Sequence, residues 1–256
     1  RYDGEVFLST LSHLRLFKSG DGIDFEDTGS LLMGKGLYES YGVEDCRVAT
    51  LEDGSYALTY TATSEMGYGV GLRTTRNWKS FDCPGMILPP ANKDCAIFEH
   101  KIRGRHYCFH RPSGVGLGGH FIWLAHSLNL LDWGGHECLA KTRPGYWDCA
   151  RVGAGAAPIR TEEGLLAIYH GANHENRYCL GALLLDSEDP RKVLARSEKP
   201  IMEPDAPYEK EGFFGNVVFS NGHLVEGDRI ALYYGASDTV ICQAELSLAS
   251  ILESLK

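Results

Sequence analysis

The string YESYGVEDCRV brings Glu39, Glu44, Asp45 and Arg47 close together at the start of a strand-like segment. In an extended strand Glu44 and Asp45 point to opposite faces, and alternation pairs Asp45 with Arg47. A carboxyl beside a guanidinium normally ionises, so an acid role for Asp45 requires burial or a second carboxylate to keep its proton. Without such surroundings the two form an ordinary surface salt bridge. Later strings add basic groups next to apolar residues or glycines: Lys93 in PANKDCAIF, Arg111 in CFHRPS, Arg151 in WDCARVGAG and His170 in AIYHGA. If these four face one channel they repel one another unless an anion sits among them. Phosphate suits that place, because Arg and Lys give its oxygens charge-assisted hydrogen bonds. If they do not converge, each pairs with a nearby carboxylate such as Asp94, Glu99 or Asp148. The glycine string RVGAGAAP lacks a following GK[ST] and a βαβ setting, and reads as a tight turn that lets backbone approach the channel.

The elements that must carry these residues are strands. Short runs rich in β-branched and aromatic residues recur between Gly, Asp, Asn and Pro, as in Tyr56 to Thr61, His106 to His110, Leu165 to His170, Tyr178 to Leu185 and Ile230 to Gly235. Helical periodicity is confined to Leu246 to Leu255, a short C-terminal helix that could seal a blade or meet another subunit, sealing being the expectation. The strings DGSYALTYTA, IRGRHYCFHRP, EEGLLAIYHGA and EGDRIALYYGA repeat a Gly turn followed by a strand, at intervals of about fifty residues, the period of propeller blades. The predicted fold is therefore all-β, a five-bladed β-propeller with a short C-terminal helix. It forms a single catalytic domain over residues 1–256. The first unit is thin, with only Arg1 to Lys18 ahead of SGDGIDFED, so the chain begins inside a blade or lacks an N-terminal segment.

The composition narrows the partners. A chain of 256 residues with net charge -9 lacks the clustered Lys and Arg of a nucleic-acid or membrane surface. No apolar run nears the roughly 20 residues of a bilayer span, and no signal-like segment opens the chain, so the expected location is cytoplasmic. The eight cysteines form no CxxC pair and read as buried free thiols, and the dispersed histidines suggest no metal site.

Six strings in order, GVEDCRV, PPANKDCAIFEHKIRGRHYCFHRP, WDCARVGAGAAPIRTEEGLLAIYHG, YCLGALLLDSEDPRKVLAR, PIMEPDAPYEKEGFFGNVVF and IALYYGASDTVICQAEL, resemble glycoside hydrolase family 130, which comprises inverting β-mannoside phosphorylases and related mannosidases. The resemblance implies a five-bladed propeller in which Asp45 is the catalytic acid, protonating the leaving oxygen through a sugar hydroxyl. It implies phosphate held by Lys93, Arg111, Arg151 and His170, and a mannoside contacted by Arg47, Asp94 and Asp238, with Tyr208, Glu209 and Asn216 in the same pocket. Cys46, Ala156 and Ala157 stand where the family has proline, His100 alters another family string, and Arg151 replaces a frequent Lys. The implied reaction is phosphorolysis of β-1,2- or β-1,4-linked manno-oligosaccharides to α-mannose 1-phosphate and a shortened acceptor, with phosphate as co-substrate and no other cofactor. An inverting β-mannosidase using Glu39, Glu44 or Glu209 as base, and a non-catalytic mannoside-binding propeller, are the alternatives; a homo-oligomer stays open.

Overall fold

A computed structural model describes residues 12–114 and 118–256. Strands β1 (Leu14–Lys18) and β2 (Glu26–Leu32) form a two-stranded ribbon. Strands β3 (Gly42–Thr50), β4 (Tyr56–Ser64), β5 (Gly67–Thr75) and β6 (Asp82–Leu88) make one antiparallel sheet. Strands β7 (Asn92–Ile97), β8 (His106–Pro112), β9 (Ile122–Ser127) and β10 (Gly134–Ala140) make the next. The third combines β11 (Arg151–Ala154), β12 (Ile159–Arg160), β13 (Leu165–Ala172), β14 (Tyr178–Leu185) and β15 (Val193–Arg196). The fourth follows the short helix α1 (Pro207–Lys210) and contains β16 (Val218–Glu226), β17 (Arg229–Ala236) and β18 (Val240–Ser247), ending in α2 (Leu248–Glu253).

The repeated Gly turns of the sequence are the first hairpins of the four sheets. Gly54, Gly104, Gly164 and Gly227 precede β4, β8, β13 and β17 with φ of 75°, 75°, 142° and 59°, a region open to glycine and strained for side chains. The all-β propeller arrangement expected from the repeat is present, but with four blades rather than five. Dividing length by period counts the N-terminal unit as a full blade, whereas among the described residues only β1 and β2 are strands there. That ribbon bridges the gap in the ring. Ser12 pairs with Gly42 of β3, while on the other side the Tyr233 hydroxyl of β17 donates to the Gly22 carbonyl at 2.7 Å and Phe25 packs edge-on against the Tyr233 ring.

The core lies between blades. Phe98, Phe109, Ile122 and Leu124 pack against Val152, Leu165, Tyr169 and Leu183 of the next sheet, and Leu166, Ile168 and Leu180 against Val218, Ile230 and Leu232 of the one after. A strand sandwiched in this way is buried on both faces, as all of β13 is. Its sequence LLAIYHGA therefore reads as a continuous run instead of an alternation. The C-terminal helix is shorter than its periodicity suggested, because Leu246 and Ser247 complete β18. Ile251 is buried, and Leu248, Leu252 and Leu255 pack on the last blade's core. All eight cysteines are free, but only Cys95, Cys108 and Cys179 are buried and Cys83 is exposed. No helix among the described residues is long and apolar enough to cross a membrane.

Candidate active site

Strands β3, β7, β11 and β16 approach one another at the centre of the ring. Two of them are interrupted at corresponding places. The register of β3 slips between Glu44 and Arg47 and that of β7 between Lys93 and Ala96, and inside each slip an aspartate takes a left-handed backbone, Asp45 at φ 51° and Asp94 at φ 53°. Aspartate tolerates that region better than most residues, and a bulge re-aims the side chains around it. The bulge also overturns the expected pairing of Asp45 with Arg47, since the extra residue breaks the alternation on which it rested. Arg47, 2% exposed, crosses the centre and its Nη2 lies 3.1 Å from the Asp94 carboxylate. It donates to the carbonyls of Gly155 (2.8 Å) and Ala154 (3.0 Å), and meets Asp45 only at the main-chain oxygen, at 2.9 Å.

Asp94 is the electrostatic hub. It is 1% exposed, and besides Arg47 it has Arg111 Nη1 at 2.9 Å and His170 Nε2 at 3.2 Å. Burial by itself would raise its pKa, but the Arg111 and Arg47 guanidiniums, with the hydrogen bond from His170, outweigh it and hold the carboxyl well below the usual range. His170 is fully buried, its ring 4.3 Å from that of Phe219. Burial chiefly, and Arg111 and Arg47 besides, pull its pKa down to about 4 against the opposing pull of Asp94. The imidazole is therefore neutral at pH 7, which corrects its expected role as a cation.

The first half of the glycine string, Arg151–Ala154, is strand β11, and the turn expected there is confined to the bend at Ala156 and Ala157. Gly153 lies within β11, and a Cβ there would come within 2.2 Å of Asp94 Oδ2 and 2.4 Å of His170 Nε2. Close backbone approach is real, but its purpose is to make room for this buried pair.

Arg111 pairs with a carboxylate, as one reading of the sequence expected. Lys93 and Arg151 have no ion pair among the described residues. Lys93 Nζ sits 5.4 Å from the Tyr68 ring centroid, and Arg151 donates to the Tyr178 hydroxyl and to Asn176 Oδ1, each at 2.9 Å. Their hydrogen-bond and ring partners are neutral, so neither positive charge is tied up in an ion pair. The nearby carboxylates are occupied elsewhere: Asp148 by Arg143, Arg196 and Tyr169, and Glu99 by the Thr50 amide.

The remaining predicted residues divide. Asp238, at φ 50° on the exposed turn after β17, is raised in pKa by partial enclosure and then by Asp45, with Lys93 opposing, so these three groups share one electrostatic neighbourhood. Tyr208 and Asn216 are exposed, and Asn216 holds Tyr178 through its carbonyl at 2.9 Å. Glu209 is buried and engaged, accepting from the Tyr234 hydroxyl (2.6 Å) and the amides of Asp205 and Ala206. Glu39 is likewise engaged by Tyr60 (2.6 Å) and Arg73 (2.9 Å). Sequence reading missed Phe219, which packs beneath Arg47 and His170, and His120, which follows the glycine-rich GVGLGG and so lies outside any strand pattern.

A central aspartate on a bulge, beside cations that no ion pair ties up, can serve as an acid that works with an anionic reactant. The family profile described as beta-1,4-mannooligosaccharide phosphorylase, Glyco_hydro_130, matches residues 4–256. The chain belongs to glycoside hydrolase family 130. A family 130 relative named beta-1,2-mannobiose phosphorylase, from Listeria innocua, is 43% identical over 257 residues, covering 100% of this chain and 72% of that protein. The solved structure of a beta-1,2-mannobiose phosphorylase from Listeria innocua, in complex with beta-1,2-mannobiose, superposes with a TM-score of 0.95 at 43% identity, over 99% of this chain and 72% of that one. A 1,2-beta-oligomannan phosphorylase from a Thermoanaerobacter species is 40% identical over 245 residues, covering 94% of this chain and 80% of that protein.

Proposed function

We propose that this family 130 chain is an inverting phosphorylase of β-mannosides, with β-1,2-linked manno-oligosaccharides as its substrates. The observation that carries this reading is that Lys93 and Arg151, set with Arg111 around the same centre as Asp45, have no ion pair among the described residues. In this reading a terminal mannose lies beside Asp45, which supplies the proton that the leaving oxygen takes up. Phosphate attacks the anomeric carbon from the opposite face, the glycosidic C–O bond breaks, and α-mannose 1-phosphate forms with inversion. Phosphate is already a nucleophilic anion, so charge and positioning replace the second carboxylate that an inverting hydrolase needs as base. Glu39 and Glu209, which a hydrolase could recruit, are held in buried hydrogen bonds. His170 and Asp94 brace Arg111, and in this reading the exposed Asp238, Asn216 and Tyr208 contact the sugar. The preference for β-1,2 over β-1,4 linkages rests on the names of the Listeria and Thermoanaerobacter relatives.

The test is incubation with β-1,2- and β-1,4-mannobiose, with and without inorganic phosphate, following mannose 1-phosphate and free mannose separately. Mannose 1-phosphate formed from the β-1,2 disaccharide only when phosphate is present is the expected result. Free mannose at a rate independent of phosphate would overturn the reading in favour of a hydrolase.

A further inference from the structure

His120 has no part in the residue set taken from the sequence, yet its backbone is fixed against the site. It pairs in a parallel bridge with Arg151, and its carbonyl accepts from the Val152 amide at 2.9 Å, which anchors it to β11. The ring is half-buried, and its Nδ1 is enclosed without a hydrogen-bond partner. Two more enclosed donors nearby share that condition, Arg111 Nε and Arg151 Nε, as does His170 Nδ1, which carries no proton while Nε2 donates to Asp94. A buried polar group left unpaired costs roughly 1–3 kcal/mol, and three of them on three segments around one place call for a common acceptor. The nitrogens of His120, Arg111 and Arg151 can each donate, and the buried carboxylate beside them among the described residues, Asp94, is already shared among Arg47, Arg111 and His170. An oxyanion with several acceptor oxygens meets the need.

We propose that His120 is a further ligand of the phosphate, its Nδ1–H donating to an oxygen that Lys93, Arg111 and Arg151 also hold. The inference rests on the phosphorylase reading. Burial, then Arg111, Arg151 and Lys93, lower the pKa of His120 against the pull of Asp94, so the imidazole enters the site neutral. A neutral donor adds direction to the site without adding repulsion among its cations, and it distinguishes an oxygen placed correctly from one merely attracted by charge.

The experiment compares His120→Leu, which removes the donor, with His120→Asn, whose side-chain amide can place a nitrogen near the Nδ1 position. Binding of inorganic phosphate is measured by calorimetry, KM for phosphate and for the mannoside by initial rates, and folding by thermal unfolding. His120→Leu is expected to weaken phosphate binding and raise KM for phosphate about tenfold or more, with KM for the mannoside and the melting temperature unchanged, and His120→Asn to recover most of the loss. Phosphate bound equally by His120→Leu and wild type overturns the inference and leaves the phosphorylase reading intact. Equal losses for both substrates together with a lowered melting temperature also overturn it, by showing a structural role. Wild type that binds phosphate but releases no mannose 1-phosphate overturns the activity while the ligand assignment is still decided by the calorimetry.

Discussion

Asp45 and Asp94 share a local sequence, an aspartate followed by cysteine, and a local backbone with positive φ at a strand bulge, yet their surroundings are opposite. Asp94 is sealed beneath three basic groups and stays ionised, whereas Asp45 is half-buried and its carboxylate has no ion pair among the described residues. One carboxylate is held in buried ion pairs, and the other is the proton donor of the proposed reaction. Asp45→Asn is therefore expected to lower kcat by roughly 10²–10⁴-fold, the usual worth of a general acid, with an unchanged melting temperature, measured as the initial rate of mannose 1-phosphate release. Asp94→Asn is expected to do the reverse kind of damage. It leaves Arg47 and Arg111 buried without their counter-charge, and should cost about 3–5 kcal/mol of stability, read as a lower urea midpoint.

At the scale of the element, the inner strands position the site by departing from regularity. The bulges in β3 and β7 turn side chains that strict alternation would place elsewhere, and β11 carries glycine where Asp94 and His170 need the room. Gly153→Ala should thus disrupt both folding and phosphate binding, since its Cβ would fall 2.2 Å from Asp94 Oδ2. Gly222→Ala is the matched control, because a Cβ there meets nothing within 4 Å and its φ is not positive. Far-UV spectra and phosphate calorimetry on the two variants check the contrast. The strands themselves were legible from Gly turns and β-branched runs. The bulges were not, because a single inserted residue leaves the pattern of residue types almost unchanged and shows itself only in the partner strand's register.

At the scale of the whole molecule, stacking sheets around a centre buries ionisable groups far apart in sequence, and this makes stability depend on pH. His110 is lowered to about 3 by burial and then by His136, His170 to about 4 by burial and then by its Arg neighbours, and His223 to about 4 by burial. Each folded value lies below the ordinary 6.5, so the unfolded chain binds the extra protons. The contribution is intact above pH 6.5 and is lost as pH falls toward 4, at about 1.4 kcal/mol per pH unit for each histidine. Urea midpoints measured from pH 7 down to pH 4 should fall steadily, and a flat profile would show that these rings are not buried neutral. The sequence alone determined the all-β repeat, the family, and the residue types at the centre, because turn chemistry, strand propensity and ordered motifs are local properties. Only the tertiary structure decided which basic groups stay out of ion pairs, that His170 is neutral, that Arg47 serves Asp94 instead of Asp45, that the ring has four blades closed by a ribbon, and that His120 lies beside those basic groups. Those outcomes depend on burial and on distances between blades, and neither is written in any one segment of the chain.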